Sequence, residues 1–131
     1  NERHRSLILS PRTSSAARDA AHGLLASDKA GVSVLRDSSG AVAQRVVATI
    51  VNIGCDIAQQ GIAAPADIDR AVTLGLGYPH GPLAWGDRLG AATVQEILAN
   101  MHAQSGDPRY RASPWLRRRA ALGMSLLTPE L

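Results

Sequence analysis

Apolar residues recur on nearly every side of a helix between Val42 and Ala58. Val42, Val46, Ile50, Ile53 and Ile57 share one face, and Val47, Ala48, Val51, Cys55 and Ala58 share another. Arg45, Thr49, Asn52, Asp56 and Gln59 recur at helical spacing as a polar stripe. β-Branched residues are frequent here, and propensity alone would permit a strand. The run without proline is about twenty residues long, however, and a strand of that length is rare. Ser38 or Ser39 is placed to cap its start, and Gly61 stands where a C′ glycine belongs. A helix that is apolar on most sides is the central helix of a bundle or of an interface. Gln44 lies near its apolar side, one turn before Ala48 and two before Val51. It reads either as a helix-end amide reaching backbone or solvent, or as a site residue, since a buried amide needs partners.

Upstream, Asn1 to Ser6 is polar and reads as a frayed end, and Leu7–Leu9 is a short buried strand stopped by Pro11. Ser14 or Ser15 can cap a helix from about Ala16 to Ala26, and Val32–Leu35 is a second strand. Strand, helix and strand make a βαβ unit with parallel strands. Two strands alone are not a stable sheet, so this leader, residues 1–37, reads as the remnant of a larger α/β layer. The turn after Leu9 is SPRTSS and carries no glycine-rich dinucleotide fingerprint.

Downstream of Gly61, Pro65 suits the first turn of a helix running to Leu74, with Asp67 and Asp69 favourably placed at its positive end. Gly75 is expected to end it, and Gly77 to take a positive φ. Tyr78-Pro79 and Gly81-Pro82 stiffen the next turn, which presents Tyr78, His80 and Trp85. Pro82 opens a short helix ending near Gly90. Val94, Ile97, Leu98 and Met101 form the stripe of another helix, with His102 beside it and exposed. Asp107–Tyr110 is a turn, Ser113-Pro114 starts a last helix that Gly123 closes, and Trp115, Leu116 and Leu122 are its expected anchors. The short tail after Gly123 is apolar enough to dock. Residues 38–131 therefore read as one mainly α domain.

Composition narrows the function classes. The 131 residues suffice for one adequate core. With no Phe and only Tyr78, Trp85, Tyr110 and Trp115 as aromatics, that core is built of Ala, Val, Leu and Ile. Net charge is +3, and Arg117-Arg118-Arg119 is the one cationic run, read as a solvated helix face. No recognition-helix pattern or interleaved stacking aromatics support nucleic-acid binding. Cys55 is the single cysteine, which excludes an internal disulfide and a cysteine-based metal site and fits a reducing, cytoplasmic setting. No apolar run reaches membrane-spanning length, and no signal peptide is visible. His80 and Asp87 lack evident catalytic partners in the sequence. The chain begins at Asn1 rather than Met, so a piece of a longer protein is expected.

Several motifs then carry a resemblance in order and spacing. They are Asp37-Ser38-Ser39-Gly40, Gln44-Arg45, Gly61-Ile62-Ala63, Asp67-Ile68-Asp69, Leu74–Pro82 and Asp107–Tyr110. From about Val32 to Gly123 the chain resembles the helical C-terminal domain of the 3-hydroxyacyl-CoA dehydrogenases. Gly81–Gly86 is similar to the second C-terminal copy in long bacterial enzymes of the 3-hydroxyadipyl-CoA and 3-hydroxybutyryl-CoA branch. The resemblance implies a bundle like the C-terminal domain of 6-phosphogluconate dehydrogenase. It also implies NAD-dependent oxidation of an (S)-3-hydroxyacyl-CoA in fatty-acid or phenylacetate degradation. NAD and the catalytic His and Glu then belong to an upstream Rossmann domain, so this piece binds no NAD itself. The helical domain supplies one Asn before an Arg, and much of a homodimer interface. Here the Asn position is Gln44, one methylene longer, and Arg45 matches as a substrate-binding residue. Ile53 stands where a Glu usually follows the Asn at 52, and the family's glycine-rich tail is absent after Gly123. These departures fit a copy kept for packing and dimerisation. The alternative is a purely structural helical dimerisation module with no substrate site.

Overall fold

The structure is a computed structural model that describes residues 3–130. The chain forms two compact units, divided between Ala41 and Val42.

In the first unit, β1 (His4–Leu9) and β2 (Gly31–Arg36) pair in parallel, with His4 opposite Gly31 and Leu9 opposite Arg36. Helix α1 (Ser15–Leu25) crosses between them. Ser14 is its cap, its hydroxyl accepting from the Ala17 N–H. Pairing holds His4–Ser6 in the strand rather than frayed; Asn1 and Glu2 lie outside the described residues. Both strands are longer than their apolar centres, and neither is fully buried: β1 alternates exposed and half-buried positions. Helix α1 buries no residue, and Leu24 is 75% exposed. Arg5 reaches from β1 to the Leu25 carbonyl and to both oxygens of Asp28, at 2.5 and 2.6 Å, which ties the strand to the loop after α1.

The second unit is a helical bundle. Among the described residues it holds five α-helices: α2 (Ala43–Gln59), α3 (Pro65–Leu76), α4 (Pro82–Leu89), α5 (Ala91–Ser105) and α6 (Pro114–Leu122). A 3-10 turn at Pro108–Tyr110 joins α5 to α6. The core gathers Val51, Cys55, Leu83, Val94, Leu98 and Leu116, each fully buried. Helix α2 starts later than Ser38 or Ser39 would place it, with Val42 at the N-cap and no side-chain cap. The reason is local: Gly40 (φ 71°) and Ala41 (φ 43°) are left-handed, and a right-handed helix cannot begin until the chain has left that region. Gly61 (φ 65°) terminates it as expected.

The two apolar faces of α2 have different fates. The face with Ala48, Val51, Cys55 and Ala58 is buried, whereas on the other Val46 is 48% and Ile53 55% exposed. Asn52 leaves the polar stripe and is buried. Its amide donates to the Arg111 carbonyl at 3.0 Å and its carbonyl accepts from the Ser113 N–H at 2.8 Å, so it anchors the entrance to α6. Helix α3 continues through Gly75 and ends at Gly77 (φ 67°), because a glycine on an exposed face costs only about 1 kcal/mol of helix propensity.

The last helix also differs from its pattern. Trp115 and Leu116 are buried, but Leu122 is 69% exposed, and Leu126 of the tail takes the core position. Arg119 is not on a solvated face. It is buried, with its guanidinium 3.2 Å over the Trp115 ring and one nitrogen donating to the Thr128 carbonyl at 2.7 Å. Among the described residues no helix is long and apolar enough to cross a membrane.

Candidate active-site helix and its supports

The sequence candidates Gln44 and Arg45 sit in the first turn of α2. Gln44 is exposed and Arg45 half-buried. The Thr49 hydroxyl donates to the Arg45 carbonyl at 2.7 Å, closing the first turn from within the helix. Helical spacing puts Gln44 over Ala48, Val51 and Cys55, on the azimuth of the core and about half a turn from Ile53. Gln44 and the exposed apolar face thus use opposite sides of α2.

Around the stiff turn, a carboxylate on one helix serves another. Asp69 on α3 accepts from the N–H groups of Leu83 and Ala84, at 2.7 and 2.8 Å. These are first-turn donors of α4, which has no cap of its own at Gly81. The Asp69 charge is therefore spent on the positive end of α4 rather than of α3. Such close approach requires Gly81, since a Cβ there would lie 2.1 Å from Asp69 Cγ and 2.5 Å from its Cα. The clamp sets the turn that brings Tyr78, His80 and Trp85 together. Tyr78 and Trp85 meet at 5.7 Å between centroids, tilted by 53°, and His80 meets Trp85 edge-on at 6.3 Å. Tyr78 and His80 thus both pack against Trp85, which makes the trio a packed support.

Asp87 likewise has a structural task. It accepts from the Leu126 N–H at 2.7 Å and from the Ser125 hydroxyl at 2.5 Å, while the Trp115 indole N–H donates to the Leu126 carbonyl at 3.0 Å. Both main-chain groups of Leu126 are thus read, and its side chain fills the core. Cys55 is no nucleophile: burial pushes its thiol up to about 12. His102 is exposed. Among the described residues no three His, Cys, Asp or Glu side chains gather as metal ligands. The β1–α1 junction lacks the glycine turn of a dinucleotide fingerprint, and the Ser14 hydroxyl accepts from the Ala17 N–H at the α1 N-terminus.

The order of these parts decides the family. A family model described as "3-hydroxyacyl-CoA dehydrogenase, C-terminal domain" matches residues 40–125. The chain belongs to that family. Among curated relatives of this dehydrogenase domain, the 3-hydroxyadipyl-CoA dehydrogenase of Escherichia coli K12 is 43% identical over 88 residues, 67% of this chain and 18% of that protein. The probable 3-hydroxybutyryl-CoA dehydrogenase of Bacillus subtilis 168 is 36% identical over 89 residues, 68% of this chain and 31% of that protein. The domain also resembles solved dehydrogenases. The (S)-3-hydroxybutyryl-CoA dehydrogenase of Ralstonia eutropha matches 96% of this chain and 47% of its own, with TM-score 0.89 and 25% identity. The 3-hydroxybutyryl-CoA dehydrogenase of E. coli K12 matches 89% and 25%, with TM-score 0.77 and 35% identity. The matches to these two curated relatives span less than a third of either protein's length.

Sequence reasoning found the first turn of α2 and the aromatic turn, but missed Asp69 as the α4 clamp and Asn52 as the α6 anchor. The signal for Asp69 was present: Pro82 opens a helix with no Ser, Thr, Asp or Asn before it, so its cap had to come from elsewhere.

Proposed function

We propose that this chain is the helical C-terminal part of an NAD-dependent 3-hydroxyacyl-CoA dehydrogenase, where it serves packing and dimerisation. The observation that carries the reading is the family match over residues 40–125. The full reaction converts an (S)-3-hydroxyacyl-CoA to a 3-oxoacyl-CoA, with one hydride passing to NAD and one proton to a base. Both acceptors belong to an upstream Rossmann domain, the second partner of this one, and this piece holds no NAD. The names of the relatives favour short acyl or dicarboxylic acyl-CoA substrates and a place in fatty-acid or phenylacetate degradation. The setting is cytoplasmic, without a nucleic-acid or membrane partner.

Gln44 occupies the place of the family's Asn, with Arg45 beside it as the substrate-binding residue. Its extra methylene moves the amide by roughly an ångström, more than catalytic positioning tolerates. The second reading, a purely structural dimerisation module without a substrate site, is favoured by the exposure of Gln44 and of the Val46–Ile53 face. Acetoacetyl-CoA reduction by the 131-residue polypeptide, followed through NADH absorbance, tests the assignment. No turnover and no NADH binding are expected. Turnover by this chain alone would place the chemistry here and overturn the reading.

A further inference from the structure

Two arginines of α6 converge on one carboxylate oxygen. Arg118 donates to Glu130 Oε1 at 2.8 Å, and Arg119 Nη1 stands 3.5 Å from the same atom. Both guanidinium groups are held in place by other contacts. Arg118 also donates to the Gln59 side-chain carbonyl at the end of α2, at 2.9 Å. The Arg119 side chain is only 5% exposed and is fixed by the Thr128 carbonyl and the Trp115 ring. Its Nε–H is buried and has no partner among the described residues. A buried cation with an unused donor favours an anion beside it. Oriented guanidinium groups of this kind are the usual recognition of an oxyanion.

The present occupant is weakly tied. Glu130 is 54% and Arg118 49% exposed, and an exposed ion pair is among the weakest contacts in a fold. The Arg118 hydrogen bond holds the Glu130 carboxyl below the usual glutamate range, so the occupant is an anion. Residues 125–128 are anchored differently. Leu126 fills the core with both main-chain groups bonded, and the Thr128 N–H closes a turn on the Ser125 carbonyl at 3.2 Å. Pro129 and Glu130 lie beyond that turn and are exposed, so the carboxylate can leave while Leu126 stays. Beside it opens a groove of about 330 Å³, walled by Ala63, Pro65, Trp115 and Pro129. Those walls suit a short aliphatic stem. The place lies at the far end of α2 from Gln44, fifteen positions and about 22 Å along the axis.

We propose that Arg118, Arg119 and Gln59 form a carboxylate-binding site which Glu130 of the same chain occupies and closes, and that a small aliphatic carboxylate takes the place of Glu130. Arg118 and Arg119 hold the anion, Gln59 orients Arg118, and the stem lies in the groove against Trp115.

NMR titration of the 131-residue chain with butanoate is the test, read at the Trp115 indole N–H and at the Arg118 and Arg119 Nε–H resonances. Chloride and inorganic phosphate at matched ionic strength are the comparison arms. Glu130→Gln removes the competing charge at an exposed position without adding bulk. Saturable shifts are expected in Glu130→Gln, with an affinity about tenfold weaker in the parent, where Glu130 closes the site most of the time. Arg118→Gln added to Glu130→Gln abolishes them. Butanoate shifts no larger than those of chloride, equal affinity in parent and Glu130→Gln, or shifts indifferent to Arg118→Gln overturn the site. Phosphate saturating it as tightly as butanoate overturns the carboxylate class.

Discussion

Gly81→Ala is expected to lower the stability of the helical unit by at least about 3 kcal/mol, at the severe end of overpacking. A Cβ at this position would sit 2.1–2.5 Å from three atoms of Asp69, one of them the backbone Cα. A flexible side-chain tip could swing away, but a Cα can move only if α3 and α4 part. Parting them also releases the Leu83 and Ala84 N–H groups, which Asp69 holds at 2.7 and 2.8 Å. Clash and lost cap therefore come together. Asp69→Ala removes the cap alone and costs about 2 kcal/mol. It keeps the Cβ, so it cannot relieve the glycine substitution. Thermal unfolding followed by circular dichroism checks the pair: for a unit of this size, 3 kcal/mol is a fall in Tm of roughly 12 °C or more. A Gly81→Ala protein that melts with the parent would mean that α3 and α4 do not approach as described.

The second large effect is expected at Leu126. Its side chain is fully buried, packed where Gly86 leaves room against α4 and beside Val51 of α2. Leu126→Ala should cost about 2–5 kcal/mol, the range for a buried leucine that leaves a cavity. Leu122→Ala, at a position 69% exposed, should stay within about 0.5 kcal/mol. Urea midpoints of the two variants separate the accounts. Helical spacing from Trp115 and Leu116 favours Leu122 as the anchor, whereas the structure gives that place to the tail. Equal midpoints would show that the tail does not complete the core.

What the sequence made legible was whatever lies in local chemistry. Gly61 and Gly123 end their helices in left-handed conformations, Gly77 takes its positive φ, and Ser113-Pro114 opens α6 with the serine hydroxyl accepting from the Trp115 N–H. These features need only a residue and its neighbours. Periodicity showed that α2 is apolar on two faces, but not which face the bundle would cover, because that depends on where α4, α5 and α6 pack. The same limit hid Asn52, whose partners are some sixty positions away, and Arg119, whose charge meets the Thr128 carbonyl, the Trp115 ring and, at 3.5 Å, the Glu130 carboxylate. The start of α2 was misplaced for a different reason. Ala41 at φ 43° is a conformation that residue type does not announce.

For function, the first turn of α2 was legible as a candidate site because Gln44-Arg45 stands in a run of ordered motifs. Its weight in catalysis was not, since Gln44 is exposed in this chain and no side chain among the described residues fixes its amide. The supports around it are clearer. Asp69, Asp87, Asn52 and Arg119 are polar groups, and each is engaged in holding helices together. The buried Cys55 and the packed aromatic trio point the same way. These commitments support the proposal that the domain contributes shape and association rather than chemistry.

That central claim is tested most directly at Gln44. The measurement is steady-state NAD-linked oxidation of a 3-hydroxyacyl-CoA by the dehydrogenase that carries this domain, with and without Gln44→Ala. The account predicts rates within about threefold of each other, a barrier difference below about 0.7 kcal/mol. A loss of about 100-fold, roughly 2.7 kcal/mol of transition-state stabilisation, would put Gln44 in a working site and contradict it.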